Sequence, residues 1–196
     1  LLLGNKAEIS HTLVKGLVDR FTFRNSWAWM GGANADEWAW LEYYPQRPGW
    51  PSVYNGILGT TVKKTEQISV SVAQHATTKV GKSYHGGKQP AYDKYGLCEE
   101  TPYGLYFQEQ WNHAIDVHPP IVMVTQFNEW IAQRFVIHNQ GEYGNIRPGA
   151  TAKIGETYFV DVYNAEFSRD LEPGTHPLIR DNYYLQLVSN TRKYRG

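Results

Sequence analysis

The side chains best suited to chemistry follow the apolar run 121–124. The chain continues there as Thr125-Gln126-Phe127-Asn128-Glu129-Trp130. Packing alone does not explain a carboxylate at the end of a buried strand, because burying an unpaired carboxylate is costly. Polar residues at the carboxyl end of such a strand are typical of α/β-barrel active sites. We therefore take Glu129 as the leading catalytic candidate and Gln126, Asn128 and Trp130 as substrate-binding candidates.

Polar and aromatic residues also end the other predicted strands. The further substrate-binding candidates among them are Asn25, Trp27, Trp29, His75 and Tyr163. If the strands are parallel, these groups meet on one rim. Amides and a histidine can hydrogen-bond hydroxyl groups there, and an indole offers a flat face to a sugar ring. This inventory favours a carbohydrate site, although any single aromatic residue also fits a core position.

Glycoside hydrolysis normally needs two carboxyl groups, so Glu129 requires a partner. The carboxylates near the next predicted strand are Asp161, Glu166, Asp170 and Glu172. We take Glu166 as the second catalytic candidate. For Asp170 or Glu172 alone, beside Arg169, solvated ion pairing in a loop is the favoured explanation. Glu129 itself also fits a structural pair with Arg134.

The composition excludes several classes of function. The chain has 196 residues with 19 basic and 19 acidic side chains, and its formal net charge is zero. Zero net charge argues against nucleic acid or an anionic membrane as a partner. No apolar run approaches the roughly 18 residues of a membrane span. The single cysteine, Cys98, excludes an internal disulfide. The histidines lack the paired spacing of zinc sites, so we expect neither metal nor cofactor.

A lysine-containing loop is the one candidate for binding an anionic group. Lys79, Lys82 and Lys88 lie with Tyr84 in a long segment without apolar periodicity. These residues could bind phosphate or sulfate on a sugar. A solvated loop in which the lysines have no ligand is the favoured interpretation.

The elements that must position these groups alternate between strand and helix. Helices are predicted over residues 10–20, 37–44, 103–115 and 181–194, and strands over 21–29, 67–74, 121–124 and 158–163, after a short strand at the start of the chain. The inward face of the last helix is predicted to carry Tyr184, Leu187 and Val188. Such alternation is typical of a parallel sheet.

About five strands are visible, whereas a closed barrel needs eight strands and roughly 250 residues. We therefore predict an α/β fold in which residues 1–196 form the C-terminal part of a single (β/α)8 TIM-barrel domain. The N-terminal remainder of that barrel would then be its partner. The alternative is a self-contained open α/β sheet.

The segment 125–130 resembles one in barrel-type glycoside hydrolases related to endo-α-mannosidase and in lipopolysaccharide-biosynthesis proteins that share their fold. Those families carry an aromatic-Asn-Glu-Trp segment late in the barrel, followed by a glycine-containing turn and Ile-Glu-Pro. Arg169-Asp170-Leu171-Glu172-Pro173 looks like the latter. The end of the chain resembles that of bacterial proteins, many from polysaccharide-degrading gut bacteria. The resemblance implies a carbohydrate substrate, Glu129 at a catalytic position, and a periplasmic or extracellular location.

One departure from the family pattern matters. The mannosidase-like enzymes have a second glutamate three residues after the first, and Ala132 occupies that position here. Three hypotheses follow: a glycoside hydrolase with another second carboxylate, a non-catalytic carbohydrate-binding or scaffold protein, and a transferase acting on activated sugars. The first is the leading one.

Overall fold

The computed structural model describes residues 2–4, 21–28, 34–74, 80–93, 96–128, 134–136, 154–159 and 164–196. It divides the chain into two compact units. Unit 1 comprises Leu1–Val70 and His113–Thr125, and unit 2 comprises Ser71–Asn112 and Gln126–Gly196.

Unit 1 contains the parallel strands. The strands β1 (Leu2–Gly4), β2 (Phe23–Ala28) and β3 (Glu37–Leu41) form a parallel sheet in that order. The strands β6 (Gln67–Val70) and β7 (Ile121–Val124) form a second parallel pair. Between them, β4 (Val53–Asn55) and β5 (Thr60–Val62) form an antiparallel hairpin.

Unit 2 is built around helices and loops. A 3₁₀-helix (Thr101–Tyr103) precedes helix α1 (Leu105–Val117), whose last turn belongs to unit 1, and helix α2 (Asn182–Arg195) ends the chain. The strands β8 (Arg134–Val136) and β9 (Thr157–Phe159) pair antiparallel. The core side chains of this unit include Tyr106, Phe107, Trp111, Phe167 and Tyr183. The Tyr183 hydroxyl donates to the Thr101 carbonyl at 2.5 Å and joins α2 to the 3₁₀-helix.

The prediction of a (β/α)8 barrel is wrong. In the described part of the chain, the strands form four separate small sheets, and two of these are antiparallel. A barrel of this kind needs one closed parallel sheet, in which every strand is followed by a crossover helix. The connection between β4 and β5 shows why these strands do not belong to such a barrel. The Asn55 carboxamide oxygen accepts from the amides of Ile57 at 2.9 Å and Leu58 at 3.2 Å, and this Asx-type turn reverses the chain at once.

The helix predicted over residues 37–44 is also wrong, because this segment contains strand β3. Trp38 and Leu41 are 2% and 0% exposed, and the strand pairs in parallel with β2 from Asn25 opposite Glu37. Aromatic residues such as those of this segment fit a half-buried pleated surface well. Sheet pairing therefore overrides the helical periodicity.

An ion pair connects β2 and β3 to the residue before β6. The Arg24 guanidinium donates to both Glu66 carboxylate oxygens, at 2.6 and 2.7 Å, and the Trp38 indole donates to one of them at 2.7 Å. The hydrogen bonds from Arg24, and then that from Trp38, lower the pKa of Glu66. Arg24 is therefore a structural residue of unit 1.

Both helices predicted in the second half of the chain are confirmed, but the buried face of α2 is not. Tyr183 and Asn190 are 2% and 1% exposed, whereas Tyr184 is 39% exposed. A shift of one residue turns the face by about 100°. Polar contacts explain the shift, because Asn190 donates to Gln108 at 3.1 Å while Tyr183 bonds the 3₁₀-helix. The helix predicted over residues 10–20 lies outside the described residues.

Strand β7 also differs from the prediction. A strand buried on both faces was expected, but Ile121 is 41% exposed and Val122–Val124 are half-buried. In the described part of the chain, β7 pairs with β6 alone.

Candidate functional site

The predicted site residues fall into three groups. Glu129, Trp130, His75, Trp29 and Tyr163 lie outside the described residues. Asn25 and Trp27 lie on β2 in unit 1, where Trp27 is 8% exposed and the Arg47 guanidinium stacks 4.7 Å from its ring centroid. Trp27 is thus a core side chain and not an open platform. Gln126, Asn128 and Glu166 all lie in unit 2.

The segment 126–128 pairs directly with residues 171 and 172. The Leu171 amide donates to the Gln126 carbonyl at 3.0 Å, and the Glu172 amide donates to the Phe127 carbonyl at 3.0 Å. The Asn128 carboxamide donates to one carboxylate oxygen of Glu172 at 2.7 Å. The two segments that carry the family resemblance are therefore neighbours, and Asn128 orients the Glu172 carboxylate.

Gln126 combines an unusual backbone with an unpaired side chain. Its φ is +69°, in the left-handed region that non-glycine residues rarely adopt. The residue is 4% exposed, and neither atom of its carboxamide has a hydrogen-bond partner among the residues that the structure describes. A buried unpaired amide is costly, and strain of this kind concentrates at functional sites. Gln126 is therefore the described residue with the clearest unused capacity to bind a ligand.

Two carboxylates line a cleft of about 430 Å³ in unit 2. They are Asp170 and Glu172, and the lining also includes Ser168 and the basic residues Lys82, His176 and Arg180. A cleft of this size is within the range of small-ligand sites. Its lining includes carboxylates, which suit proton transfer or nucleophilic attack, and cations, which suit charge pairing.

Lys82 is buried at the edge of this cleft. It is 2% exposed, and its ammonium lies 4.6 Å from the Tyr183 ring centroid. Burial lowers the pKa of Lys82 to about 8, and the attraction of Asp170 and Glu166 only partly opposes that effect. The solvated-loop interpretation of this lysine is therefore wrong.

Glu166 lies in a closed cluster of hydrogen-bond donors. It is 0% exposed. One carboxylate oxygen accepts from the Ser83 amide at 2.9 Å, from the Ser83 hydroxyl, and from the Gln89 carboxamide at 2.8 Å. The other accepts from the Thr101 hydroxyl at 2.5 Å, with the Cys98 thiol 3.7 Å away. Protein donors thus occupy both oxygens, and no exposed oxygen remains for a substrate.

Glu166 instead connects the loop of residues 80–101 to the segment that carries Asp170. The Lys82 amide donates to the Glu166 carbonyl at 2.8 Å, and the Glu166 amide donates to the Gly96 carbonyl at 2.9 Å. A Cβ on Gly81 would lie 2.8 Å from the Glu166 carboxyl carbon, so glycine is required there. We assign Glu166 a structural role and regard Glu172 as the better placed second carboxylate.

Sequence reasoning did not select three basic lining residues as site residues. Lys82 was considered only as one of several loop lysines, and nothing in its neighbours indicates burial. His176 precedes the turn of residues 177–181 and Arg180 lies within it, and both residues line the cleft together with Lys82. The Pro173-Gly174 pair before them was the only available signal.

Replacing Lys82 by methionine should stabilise the protein at neutral pH. The folded-state pKa lies below that of the unfolded chain, so the unfolded state binds more protons between pH of about 8 and 10.5. Below pH 8 the buried ammonium lowers the free energy of unfolding by its full amount. This destabilisation disappears as the pH rises from about 8 to 10.5. We expect Lys82→Met to raise the free energy of unfolding at pH 7 by about 2–3 kcal/mol through removal of the buried charge. Loss of the cation–π contact with Tyr183 reduces this gain. Denaturant unfolding at several pH values measures this, and a constant difference from pH 7 to 10.5 would contradict it.

The described residues contain no group of three or more His, Cys, Asp or Glu positioned to hold a metal ion. Among the helices in the described ranges, none has both the length and the apolar character needed to cross a membrane. The chain matches no family model, no curated protein and no solved structure.

Proposed function

We propose that this chain binds an oligo- or polysaccharide in the cleft lined by Asp170 and Glu172 and hydrolyses a glycosidic bond there. The observation that supports this most directly is the pairing of residues 126–128 with 171–172, including the 2.7 Å bond from Asn128 to Glu172. It joins the two segments whose residue types suggested carbohydrate chemistry.

The roles of the residues follow from the chemistry of hydrolysis. One carboxyl group protonates the glycosidic oxygen, and the other attacks the anomeric carbon or activates a water molecule. Asn128 donates a hydrogen bond to one carboxylate oxygen of Glu172. The other oxygen is left for proton transfer or nucleophilic attack. Asp170 is a second carboxylate of the same cleft. Glu129 remains a catalytic candidate, because it is the next residue after Asn128 in the chain.

Gln126 is the candidate for binding a sugar hydroxyl. A carboxamide both donates and accepts hydrogen bonds, as a hydroxyl group does. Its unpaired atoms would gain partners when substrate binds, and this gain would offset part of the strain at its backbone.

Carbohydrate binding without cleavage is the second candidate function. Ala132 and the closed environment of Glu166 favour it, because each removes one carboxylate from the expected catalytic pair.

A panel of purified oligosaccharides separates the two functions. Binding is measured by calorimetry, and new reducing ends are measured after incubation. Release of reducing ends from a sugar that binds supports hydrolysis. Binding without release supports the second function, and no binding across neutral and charged sugars would overturn both.

A further inference from the structure

Two cations line the cleft without a salt-bridge partner among the described residues. Within the described residues, neither the Lys82 ammonium nor the Arg180 guanidinium forms a salt bridge or a side-chain hydrogen bond. Both residues line the cleft. Lys82 is 2% exposed, so the absence of a partner is not explained by free solvation. A buried cation is costly unless it is paired.

We propose that the cleft takes a sugar with an anionic substituent, a carboxylate or a sulfate, bound by Lys82 and Arg180. This inference rests on the proposed carbohydrate function and specifies its substrate class. An oxyanion supplies charge-assisted hydrogen bonds to both cations, and a guanidinium can bind it in a bidentate manner. The anion thus provides the salt-bridge partner that the described residues do not provide.

The two carboxylates of the cleft do not supply this compensation. Asp170 attracts Lys82, but the effect of burial on the ammonium is larger. Glu172 is held by Asn128, and its described hydrogen bonds do not involve either cation. His176 adds a third basic group, whose Nδ1 accepts from the Leu178 amide at 3.3 Å.

Matched pairs of charged and neutral sugars test this inference. The carboxylate pair is oligogalacturonate and its methyl ester, and the sulfate pair is a carrageenan oligosaccharide and its desulfated form. We expect the intact chain to bind at least one charged member about 10-fold or more tightly than its neutral counterpart. The preference should fall as salt is added, and the pair that shows it identifies the anion.

Two variants test whether Lys82 and Arg180 cause the preference for the charged sugar, and a third provides a control. Lys82→Met and Arg180→Gln should each weaken binding of the charged member about 10-fold while leaving the neutral member unchanged. Arg192→Gln, on α2 outside the cleft, should change neither. Arg180 is exposed, so its variant tests anion binding without a change in the buried part of the cleft.

Three outcomes would overturn the inference, and they differ in whether the proposed carbohydrate site survives. Equal affinity for charged and neutral members, or a preference that persists in both variants, excludes anion recognition by these cations and leaves the carbohydrate site in place. Absence of binding by every member excludes the carbohydrate site as well.

Discussion

Replacing Glu166 by alanine is expected to lower the free energy of unfolding by about 3–5 kcal/mol. The change leaves the Ser83 amide and the Gln89 carboxamide without their acceptor inside the protein. It also removes the acceptor of the Thr101 hydroxyl and opens a cavity beneath the loop of residues 80–101. Each orphaned buried donor costs about 1–3 kcal/mol, and relaxation recovers part of the sum.

Chemical denaturation measures this loss, and two further variants show its origin. Glu166→Gln should cost less, because its carbonyl oxygen can still face Ser83 and Gln89 while the Thr101 hydroxyl reorients to accept. Glu99→Ala, at an exposed position in the same loop, should change stability by less than about 0.5 kcal/mol. If Glu166→Ala and Glu99→Ala had equal effects, Glu166 would not be the connection between these segments.

Replacing Glu172 by glutamine is expected to reduce kcat at least about 100-fold on a sugar that the intact chain cleaves. Glutamine has nearly the same shape and can still accept from Asn128. It can neither carry a negative charge nor transfer a proton at neutral pH. Substrate binding and stability should therefore remain close to those of the intact chain.

Steady-state kinetics and calorimetry on the same sugar test this separation of effects. Glu99→Gln is the matched control, since it removes a carboxylate that does not line the cleft. Unchanged kcat in Glu172→Gln would exclude this carboxylate from the reaction. The Asp170→Asn and Glu129→Gln variants would then be the next to compare.

The local spacing of apolar residues predicted several helices and strands of this chain. The helices α1 and α2 and the strands β2, β6 and β7 appear close to their predicted positions, because spacing of apolar residues reflects burial on one face or two. The segment 37–41 was misassigned because its aromatic residues fit either period. Its pairing with β2, which is a non-local contact, decided the outcome.

The candidate site was only partly accessible from the sequence. Residues Asn128 and Glu172 were both selected as chemical candidates, but their contact joins positions 44 residues apart. Two of the donors around Glu166 are distant from it in the sequence. Thr101 lies 65 residues away and Ser83 lies 83 residues away. No local signal reports such a cluster, so a buried structural carboxylate could not be told from a catalytic one. Likewise, no local signal in the sequence indicates that Lys82 is buried.

Cleavage in water enriched in oxygen-18 tests the central claim most directly. The product of a sugar that binds the cleft is analysed by mass spectrometry after short incubation. Hydrolysis places one solvent oxygen on each new reducing end, so we expect incorporation of the heavy isotope there, and its loss in Glu172→Gln. A product that gains no solvent oxygen, or a bound sugar that remains intact, would contradict hydrolysis at this site.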